Sequence, residues 1–355
     1  MAHDFPTSSI SDRSLSDMRA RLDLGPNQSL DQDAREHLGE FGLLASLTPE
    51  QDDVVAGAFG LVDEGDVPVL RNLAASVPGV VQIHRHLGSG TFGNVWECDL
   101  ADQAERVAVK VLKPQPNRPF VAREYQMHAG LEHPSLVRLV QAIEGPPHAI
   151  AMELCPGGTL AQLIHPPLGY KAAFADITLR ARVRAALDVV ACVDYLHSNA
   201  VLHRDVKPSN CFLSSVVEAG AVEIPFVKLG DFGLAQYKAE KMGRRVGTLL
   251  YMAPELMQDG HYSFPVDVYS CSMLLFELIT GLAPFSTSGD HLRNDVAFVL
   301  AVSMGERPAL DGSLPSGVIG ESLRGIIESS WSDQPSKRPT AGVLAESLRS
   351  MWMAM

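Results

Sequence analysis

The sequence has few of the residues that build disulfide scaffolds or structural zinc sites. Its five cysteines, Cys98, Cys155, Cys192, Cys211 and Cys271, are odd in number and scattered, and no two of them form a C-x-x-C pair. The pattern predicts neither a disulfide framework nor a zinc site. It favours a reducing setting, and we expect a cytoplasmic protein, with the nucleus as the alternative location.

Long apolar runs are also absent. The longest candidate, 271–285, is interrupted by Glu277, Gly281 and Pro284, so the sequence predicts no membrane span. The first residues have neither the basic start nor the apolar centre of a secretory signal. We therefore expect a chain that is neither secreted nor inserted in a bilayer.

Positive charge is scarce, especially near the start of the chain. The formal net charge is -13, which argues against a basic surface for nucleic acid. Residues 1–80 carry fourteen acidic side chains, five arginines and no lysine. Because the composition shifts near Pro78-Gly79, we predict an acidic extension over 1–79 and a separate domain over 80–353.

The extension itself offers weak signals. Its first sixteen residues are rich in serine and poor in apolar partners, which predicts a disordered tip. Thr48-Pro49-Glu50-Gln51 has the pattern of a helix start, and apolar residues follow it at near-helical spacing. We expect a small helical element there.

A glycine-rich turn opens the second region. Gly88-Ser89-Gly90-Thr91-Phe92-Gly93 matches G-x-G-x-x-G, a pattern that dinucleotide-binding proteins also use. In those proteins the turn opens a helix, whereas here Val95-Trp96-Glu97-Cys98 continues as a strand. The strand-turn-strand context favours a loop that covers nucleotide phosphates with backbone N–H groups.

The strongest chemical pattern lies farther on. His203-Arg204-Asp205 is followed by Lys207 and Asn210, and Asp231-Phe232-Gly233 comes about twenty residues later. Together these residues supply a proton acceptor, a cation for phosphate and oxygen ligands for a metal. The two motifs and their order resemble the protein-kinase signature. That resemblance implies an α+β fold with two lobes, a small antiparallel-sheet lobe near 80–154 and a mostly helical lobe near 155–353.

The resemblance assigns a role to each matching position. Asp205 would accept the proton of a substrate hydroxyl, Lys207 would neutralise the transferring phosphoryl group, and Asn210 and Asp231 would hold two Mg²⁺ ions, with Mn²⁺ as an alternative. Lys110 would reach the α- and β-phosphates of ATP. Glu124, which stands nine residues before His133, would pair with Lys110 in preference to Glu132.

The resemblance also implies the walls of the nucleotide site. Met152 would stand beside the base, and backbone groups of Glu153 and Cys155 would bind its edge. The implied nucleotide-contacting set is Leu87, Gly88, Ser89, Gly90, Thr91, Phe92, Gly93, Val95, Ala108, Lys110, Met152, Glu153, Cys155 and Phe212. Lys207 and Thr248 together resemble serine/threonine kinases, so we expect protein substrates that bear Ser or Thr.

Several positions add expectations beyond these roles. The resemblance implies that Asp267 anchors the catalytic loop and that Arg338 pairs with Glu255. His128 stands where the family usually has an apolar side chain, which predicts either a satisfied core histidine or a pH-responsive one. Residues 214–226 should form an extended surface loop.

Regulation and rival functions stay open. Tyr237 is the single hydroxyl residue between Ala235 and Gly247, so we hypothesise basal activity, or control by residues 1–79 acting on the same chain. One alternative is a pseudokinase that binds ATP as a scaffold without turnover, although the motifs keep every chemical group. A kinase of small molecules is another. The tyrosine-kinase-like group of serine/threonine kinases is a weak further resemblance.

Overall fold

The architecture is described from a computed structural model of the chain. The structure describes residues 74–89, 93–112, 125, 127–144, 147–167, 174–232, 235–237, 248–257, 262–288 and 295–355. These residues belong to one compact unit that spans Asp66–Met355. The disordered tip and the helix predicted for the extension lie outside the described residues.

The first lobe is built on an antiparallel sheet. Its strands are β1 (Val80–Ser89), β2 (Gly93–Leu100), β3 (Val107–Leu112), β4 (Leu139–Ile143) and β5 (Ala149–Glu153), arranged in the order β1-β2-β3-β5-β4. The central strand β3 reads Val-Ala-Val-Lys-Val-Leu, and all six of its residues are buried. β-branched residues favour such a strand because they pack well on a pleated, covered surface.

The core of this lobe reaches beyond the strands. Trp96 of β2 and Val109 of β3 pack in one buried cluster with Ala74 and Val77, which precede β1. The backbone N–H of Ala101 donates to the carbonyl of Gly79 at 3.0 Å. The last residues of the predicted extension therefore contribute to the core of the sheet.

The second lobe is mainly helical. Its helices are α1 (Leu160–Ile164), α2 (Leu179–Ser198), α3 (Pro254–Met257), α4 (Pro265–Thr280), α5 (Asp295–Ser303), α6 (Val318–Ser330) and α7 (Ala341–Ala354). Short 3₁₀ turns occupy Phe174–Asp176, Pro208–Asn210, Leu249–Tyr251 and Pro335–Lys337. Two small antiparallel sheets pair β6 (Val201–Leu202) with β9 (Gln236–Tyr237) and β7 (Cys211–Leu213) with β8 (Val227–Leu229).

Helix α4 forms the centre of this lobe. It is mostly apolar and buried along nearly its whole length, as expected for a helix surrounded by other elements. Pro265 occupies its first turn, and Gly281 ends it with φ 72°, a left-handed conformation that suits glycine. Helices α2 and α6 pack against it, and α7 packs against α2.

The predicted fold class and its two lobes are confirmed. The helix expected to deliver the chain to the catalytic loop is α2, which begins after Thr178, whose hydroxyl accepts the Ala181 N–H at 3.1 Å. Residues 214–226 form a loop without helix or strand, as predicted. Within the described residues no helix is both long and apolar enough to cross a membrane.

Candidate active site

The glycine turn lies between β1 and β2. Gly90, Thr91 and Phe92 fall outside the described residues, whereas Leu87, Gly88 and Ser89 end β1 and Gly93 begins β2. A Cβ at Gly93 would lie 2.4 Å from the carbonyl oxygen of Val111, so this position requires glycine. At the base of the turn, the Ser89 hydroxyl donates to Oδ1 of Asn94 at 2.7 Å.

The apolar residues predicted to contact the base lie on strands β2, β3, β5 and β7. Ala108 of β3 stands opposite Met152 of β5 in the strand register. Val95, Met152 and Phe212 are each half-buried. Exposed apolar side chains of this kind suit the faces of a flat base.

The end of β5 refines the predicted contacts with the base. The backbone N–H of Glu153 donates to the carbonyl of Arg138 at 2.9 Å. Because this N–H is already bonded, the predicted contact between Glu153 and the base would use the carbonyl oxygen of Glu153. Cys155 is half-buried, and burial raises the pKa of its thiol to about 12, which keeps this side chain protonated and unreactive at neutral pH.

Lys110 of β3 contacts Asp231, which follows β8. Their side chains form an ion pair, with Nζ of Lys110 2.9 Å from Oδ1 of Asp231. Lys110 is 6% exposed although it is charged, and this burial is tolerated because the ammonium has a carboxylate partner. Glu124, the partner predicted for Lys110, lies outside the described residues, and that pairing stays a prediction.

The backbone is strained at the metal-ligand candidate. Asp231 has φ 63°, a left-handed conformation that residues with a side chain rarely adopt. Such strain persists where surrounding contacts hold the residue in place, and it is concentrated at functional sites. The next residue, Phe232, is 2% exposed and supplies that anchorage.

The catalytic-loop candidates converge on one carboxylate. The side-chain N–H₂ of Asn210 donates to Oδ2 of Asp205 and to its backbone carbonyl, each at 2.8 Å. The Thr248 hydroxyl donates to Oδ1 of Asp205 at 3.2 Å and accepts from Nζ of Lys207 at 2.5 Å. Nζ of Lys207 lies 3.3 Å from Oδ2 of Asp205. Four residues singled out by the sequence are thus brought together.

Asp267 fixes the start of this loop. Its buried carboxylate accepts the backbone N–H of His203 at 2.9 Å and that of Arg204 at 2.7 Å. Nε2 of His197 lies 2.9 Å from the same carboxylate. Burial by itself raises the pKa of Asp267, but hydrogen bonding and charge from His197, with smaller contributions from His203, hold it below its usual value. The predicted anchor is confirmed.

Contacts fix both the backbone of Arg204, through Asp267, and its side chain, through Tyr262. Arg204 has φ 67°, and its Nη1 donates to the hydroxyl of Tyr262 at 2.9 Å. Residues 238–247, which follow Tyr237 in the activation segment, lie outside the described part of the chain. The hypothesis of activity without loop phosphorylation therefore stays a prediction.

A stack of rings connects the two lobes behind the site. The ring of His128 stacks on Phe232, with centroids 4.6 Å apart and planes at 17°. The rings of Phe232 and His203 are arranged edge to face, with centroids 5.3 Å apart. Nε2 of His128 lies 2.6 Å from the carbonyl oxygen of Val137, and it must carry the hydrogen because a carbonyl can only accept. His128 is a satisfied core histidine, one of the two expectations for it.

Several contacts of the site were not predicted from the sequence, among them the ion pair of Lys110 with Asp231. Lys228 pairs with Glu153, and Arg204 binds Tyr262, across 75 and 58 residues of chain respectively. A lysine in the middle of a short apolar strand was the one visible signal for the pair of Lys228 with Glu153. Nothing local in the sequence indicates either partner.

Comparison with known proteins agrees with this geometry. The family model described as "Protein kinase domain" matches residues 81–353. The chain is 28% identical over 272 residues to "Serine/threonine-protein kinase STY46" of Arabidopsis thaliana, covering 75% of the chain and 43% of that protein. It is 31% identical over 265 residues to "Mitogen-activated protein kinase kinase kinase 7" of Homo sapiens, covering 73% of the chain and 40% of that protein.

A third relative extends the range of organisms. "Probable serine/threonine-protein kinase gdt2" of Dictyostelium discoideum is 29% identical over 273 residues, which cover 76% of the chain and 16% of that protein. The chain spans less than half the length of these curated relatives. The match to the family model nevertheless covers the whole region in which the site residues lie, and the chain belongs to the protein kinase family.

Proposed function

We propose that the chain is an ATP-dependent protein kinase that transfers the γ-phosphate to Ser or Thr hydroxyls of protein substrates. One observation carries the proposal: the carboxylate of Asp205 is held by Asn210 and Thr248 beside the ammonium of Lys207. This arrangement offers a base for the hydroxyl proton and a cation for the charge on the phosphoryl group. The relatives named as serine/threonine kinases support the choice of hydroxyl.

The residues at the metal-ligand positions fit magnesium. Both bonds from the Asn210 N–H₂ go to Asp205, which leaves the amide oxygen as the group that could face a metal. Asp231 adds a carboxylate. No group of three or more His, Cys, Asp or Glu side chains arranged to hold a metal occurs in the described ranges. A small oxygen set of this kind suits Mg²⁺, which commonly completes its shell with phosphate oxygens and water. Bound Mg²⁺ would neutralise phosphate charge, and we propose Mn²⁺ as a substitute.

Lys110 and Thr248 would hold the phosphates and the catalytic groups in place. Lys110 contacts Asp231, and its ammonium would bind the α- and β-phosphates. The Thr248 hydroxyl accepts from Lys207 and donates to Asp205, so it fixes the distance between the cation and the base. With Asp205 oriented by three neighbours, the hydroxyl of a bound peptide would lose its proton to a carboxylate already in place.

The test is transfer of labelled phosphate from Mg-ATP to a generic basic protein, wild type beside Asp205→Asn. We expect labelled Ser or Thr with the wild type and a loss of orders of magnitude in kcat for the variant, with ATP binding retained. Labelling by neither protein while both bind ATP would favour the pseudokinase. Transfer to metabolites but to no peptide would favour a kinase of small molecules.

Regulation within the chain and a cytoplasmic location are further parts of this proposal. Deleting the acidic extension and comparing kcat/KM tests the first, and fractionation of cells tests the second. The deletion should end at Gly65, because Ala74 and Val77 belong to the core of the sheet. A deletion through residue 79 would mix loss of regulation with loss of packing.

A further inference from the structure

An ion pair joins the strand that ends at the base site to the strand that leads into the metal site. Oε1 of Glu153 lies 2.8 Å from Nζ of Lys228, and the two side chains are 21% and 19% exposed. Glu153 is the last residue of β5, and Lys228 is the middle residue of β8. The pair therefore crosses between the two lobes beside the nucleotide cleft.

Each partner is connected to a predicted nucleotide contact. Lys228 stands opposite Phe212 in the register of β7 and β8, and it precedes Asp231 by three residues. Glu153 follows Met152, which stands opposite Ala108. A shift of β8 relative to β5 would therefore change the distance between the base wall and Asp231.

Backbone contacts connect both strands to one intervening segment, residues 135–138. Leu229 of β8 donates to the carbonyl of Ser135 at 2.8 Å and accepts from the N–H of Val137 at 2.9 Å. The next residue, Arg138, accepts from the N–H of Glu153 and donates its own N–H to Oε1 of Glu153 at 2.7 Å. Residues 135–138 thus run between the strands, and the carboxylate of Glu153 binds both this segment and Lys228.

The charge on Lys228 has a specific consequence in this setting. A carboxylate oxygen that accepts from two donors is fixed in direction, and charge-assisted hydrogen bonds are stronger than neutral ones. At about one-fifth exposure the pair is only partly screened by water. Without the ammonium, the carboxylate would keep one backbone donor and could turn towards solvent, and the connection between β8 and β5 would then depend on the backbone bonds of residues 135–138.

We propose that Glu153 and Lys228 are positioning residues that set the distance between the base site and Asp231, so that one ATP molecule can engage both at once. This inference rests on the proposed function, because it concerns the same nucleotide site. The pair is separate from the contacts that Asp205 makes with Asn210, Thr248 and Lys207. It should therefore govern the affinity for Mg-ATP rather than the rate of transfer.

The experiment compares wild type, Lys228→Met and Lys228→Arg. We expect Lys228→Met to raise KM for ATP about tenfold with kcat within about twofold, because ground-state and transition-state binding are lost equally. Lys228→Arg keeps a cation that can reach the carboxylate and should restore most of the affinity. A purely structural role would instead lower kcat through the fraction of folded protein and leave KM unchanged.

A second measurement isolates the distance between the two sites. Adenosine occupies the base site alone, whereas Mg-ATP must also reach Asp231, so Lys228→Met should weaken Mg-ATP and leave adenosine binding unchanged. Equilibrium titrations with both ligands give the ratio of the affinity for Mg-ATP to the affinity for adenosine. We expect Lys228→Met to lower this ratio about tenfold, or about 1.4 kcal/mol. Arg324→Met is the control, since its ion pair with Asp311 lies on the surface and should affect neither ligand.

The outcomes separate the two proposals. Unchanged Mg-ATP binding in Lys228→Met, or an equal loss for adenosine, would overturn the positioning role while the proposed function stands. A wild-type chain that binds Mg-ATP but transfers no phosphate would overturn the proposed function, and the titrations would still test the pair. A wild-type chain that binds neither ligand would overturn both.

Discussion

Arg338 and Glu255 meet through two hydrogen bonds, from Nη1 to Oε1 at 2.6 Å and from Nη2 to Oε2 at 2.9 Å. The side chain of Arg338 is fully buried, and it also donates to the carbonyls of Pro265 and Ser332. One guanidinium therefore ties α3 to the start of α4 and to the turn after α6. The predicted pairing is confirmed, and the additional backbone bonds explain why a charged group can be buried there.

Arg338→Leu should destabilise the protein strongly. The change leaves the carboxylate of Glu255 mostly buried without its partner, which typically costs about 3–5 kcal/mol in the free energy of unfolding. Urea unfolding of both proteins measures the difference. Arg349→Leu breaks an exposed pair with Glu346 and should cost less than about 1 kcal/mol. Equal losses in the two variants would contradict the role given to Arg338.

His128 should make the stability depend on pH in the acidic range. Burial lowers its pKa from 6.5 to about 4, with a smaller lowering by His203, while the bond to Val137 opposes the shift. The unfolded chain therefore binds a proton more readily, and this contribution to stability is fully present above pH 6.5 and lost as the pH falls towards 4. Between pH 7.5 and 5 the loss should be about 2 kcal/mol.

His128→Leu removes the titrating group from that buried position. Urea unfolding at pH 7.5 and pH 5 should show a smaller fall in stability for the variant than for the wild type, by about 2 kcal/mol. His148→Gln replaces an exposed histidine and serves as the control substitution. A fall of the same size in His128→Leu and wild type would show that other groups carry the acid sensitivity.

The motifs could be located from the sequence because each is local. The spacing from Asp205 to Asn210 is short, and a loop of five residues brings the two side chains within 2.8 Å. The strand context of the glycine turn likewise follows from adjacent residues. Asp267 was assigned by resemblance, and the structure supplies its partners, two backbone N–H groups and His197.

Contacts between distant residues could not be predicted in this way. Glu153 and Lys228 are 75 residues apart, and their pairing depends on how residues 135–138 run between β5 and β8. Ala74 and Val77 lie before the predicted domain boundary, where the composition is acidic, yet they pack in the core of the sheet. A shift in charge composition does not reveal which apolar side chains are buried, since burial depends on the folded neighbours.

Gly93→Ala should destabilise the first lobe. The added Cβ would lie 2.4 Å from the backbone oxygen of Val111, so β2 and β3 would have to separate, at a cost of about 1–3 kcal/mol. Gly325→Ala is the matched control because it lies in α6 with no heavy atom within 4 Å of the new Cβ, and alanine favours a helix by about 0.5–1 kcal/mol. We therefore expect Gly93→Ala to lower the melting temperature and Gly325→Ala to raise it. A stabilised Gly93→Ala would contradict the close approach of the two strands.

Thr248→Val tests whether the hydroxyl between Lys207 and Asp205 serves transfer or folding. Valine keeps the shape but removes the group that accepts from Lys207 and donates to Asp205, so both charges lose part of their orientation. We expect kcat to fall about 100-fold, since preorganised donors near the reacting atoms are typically worth 10²–10³. KM for ATP should stay close to the wild-type value because Lys110 and the base wall are unchanged.

Thr248→Ser keeps the hydroxyl and separates these two roles. It should retain kcat within about tenfold of wild type, while the melting temperatures of both variants stay close to that of the parent. If Thr248→Val kept its kcat, the contact between Lys207 and Thr248 would be a consequence of packing. If both variants lost activity together with stability, the side chain would act through the fold of residues 248–257. A loss confined to kcat in the valine variant alone would establish that the hydroxyl orients Asp205 and Lys207 for phosphoryl transfer.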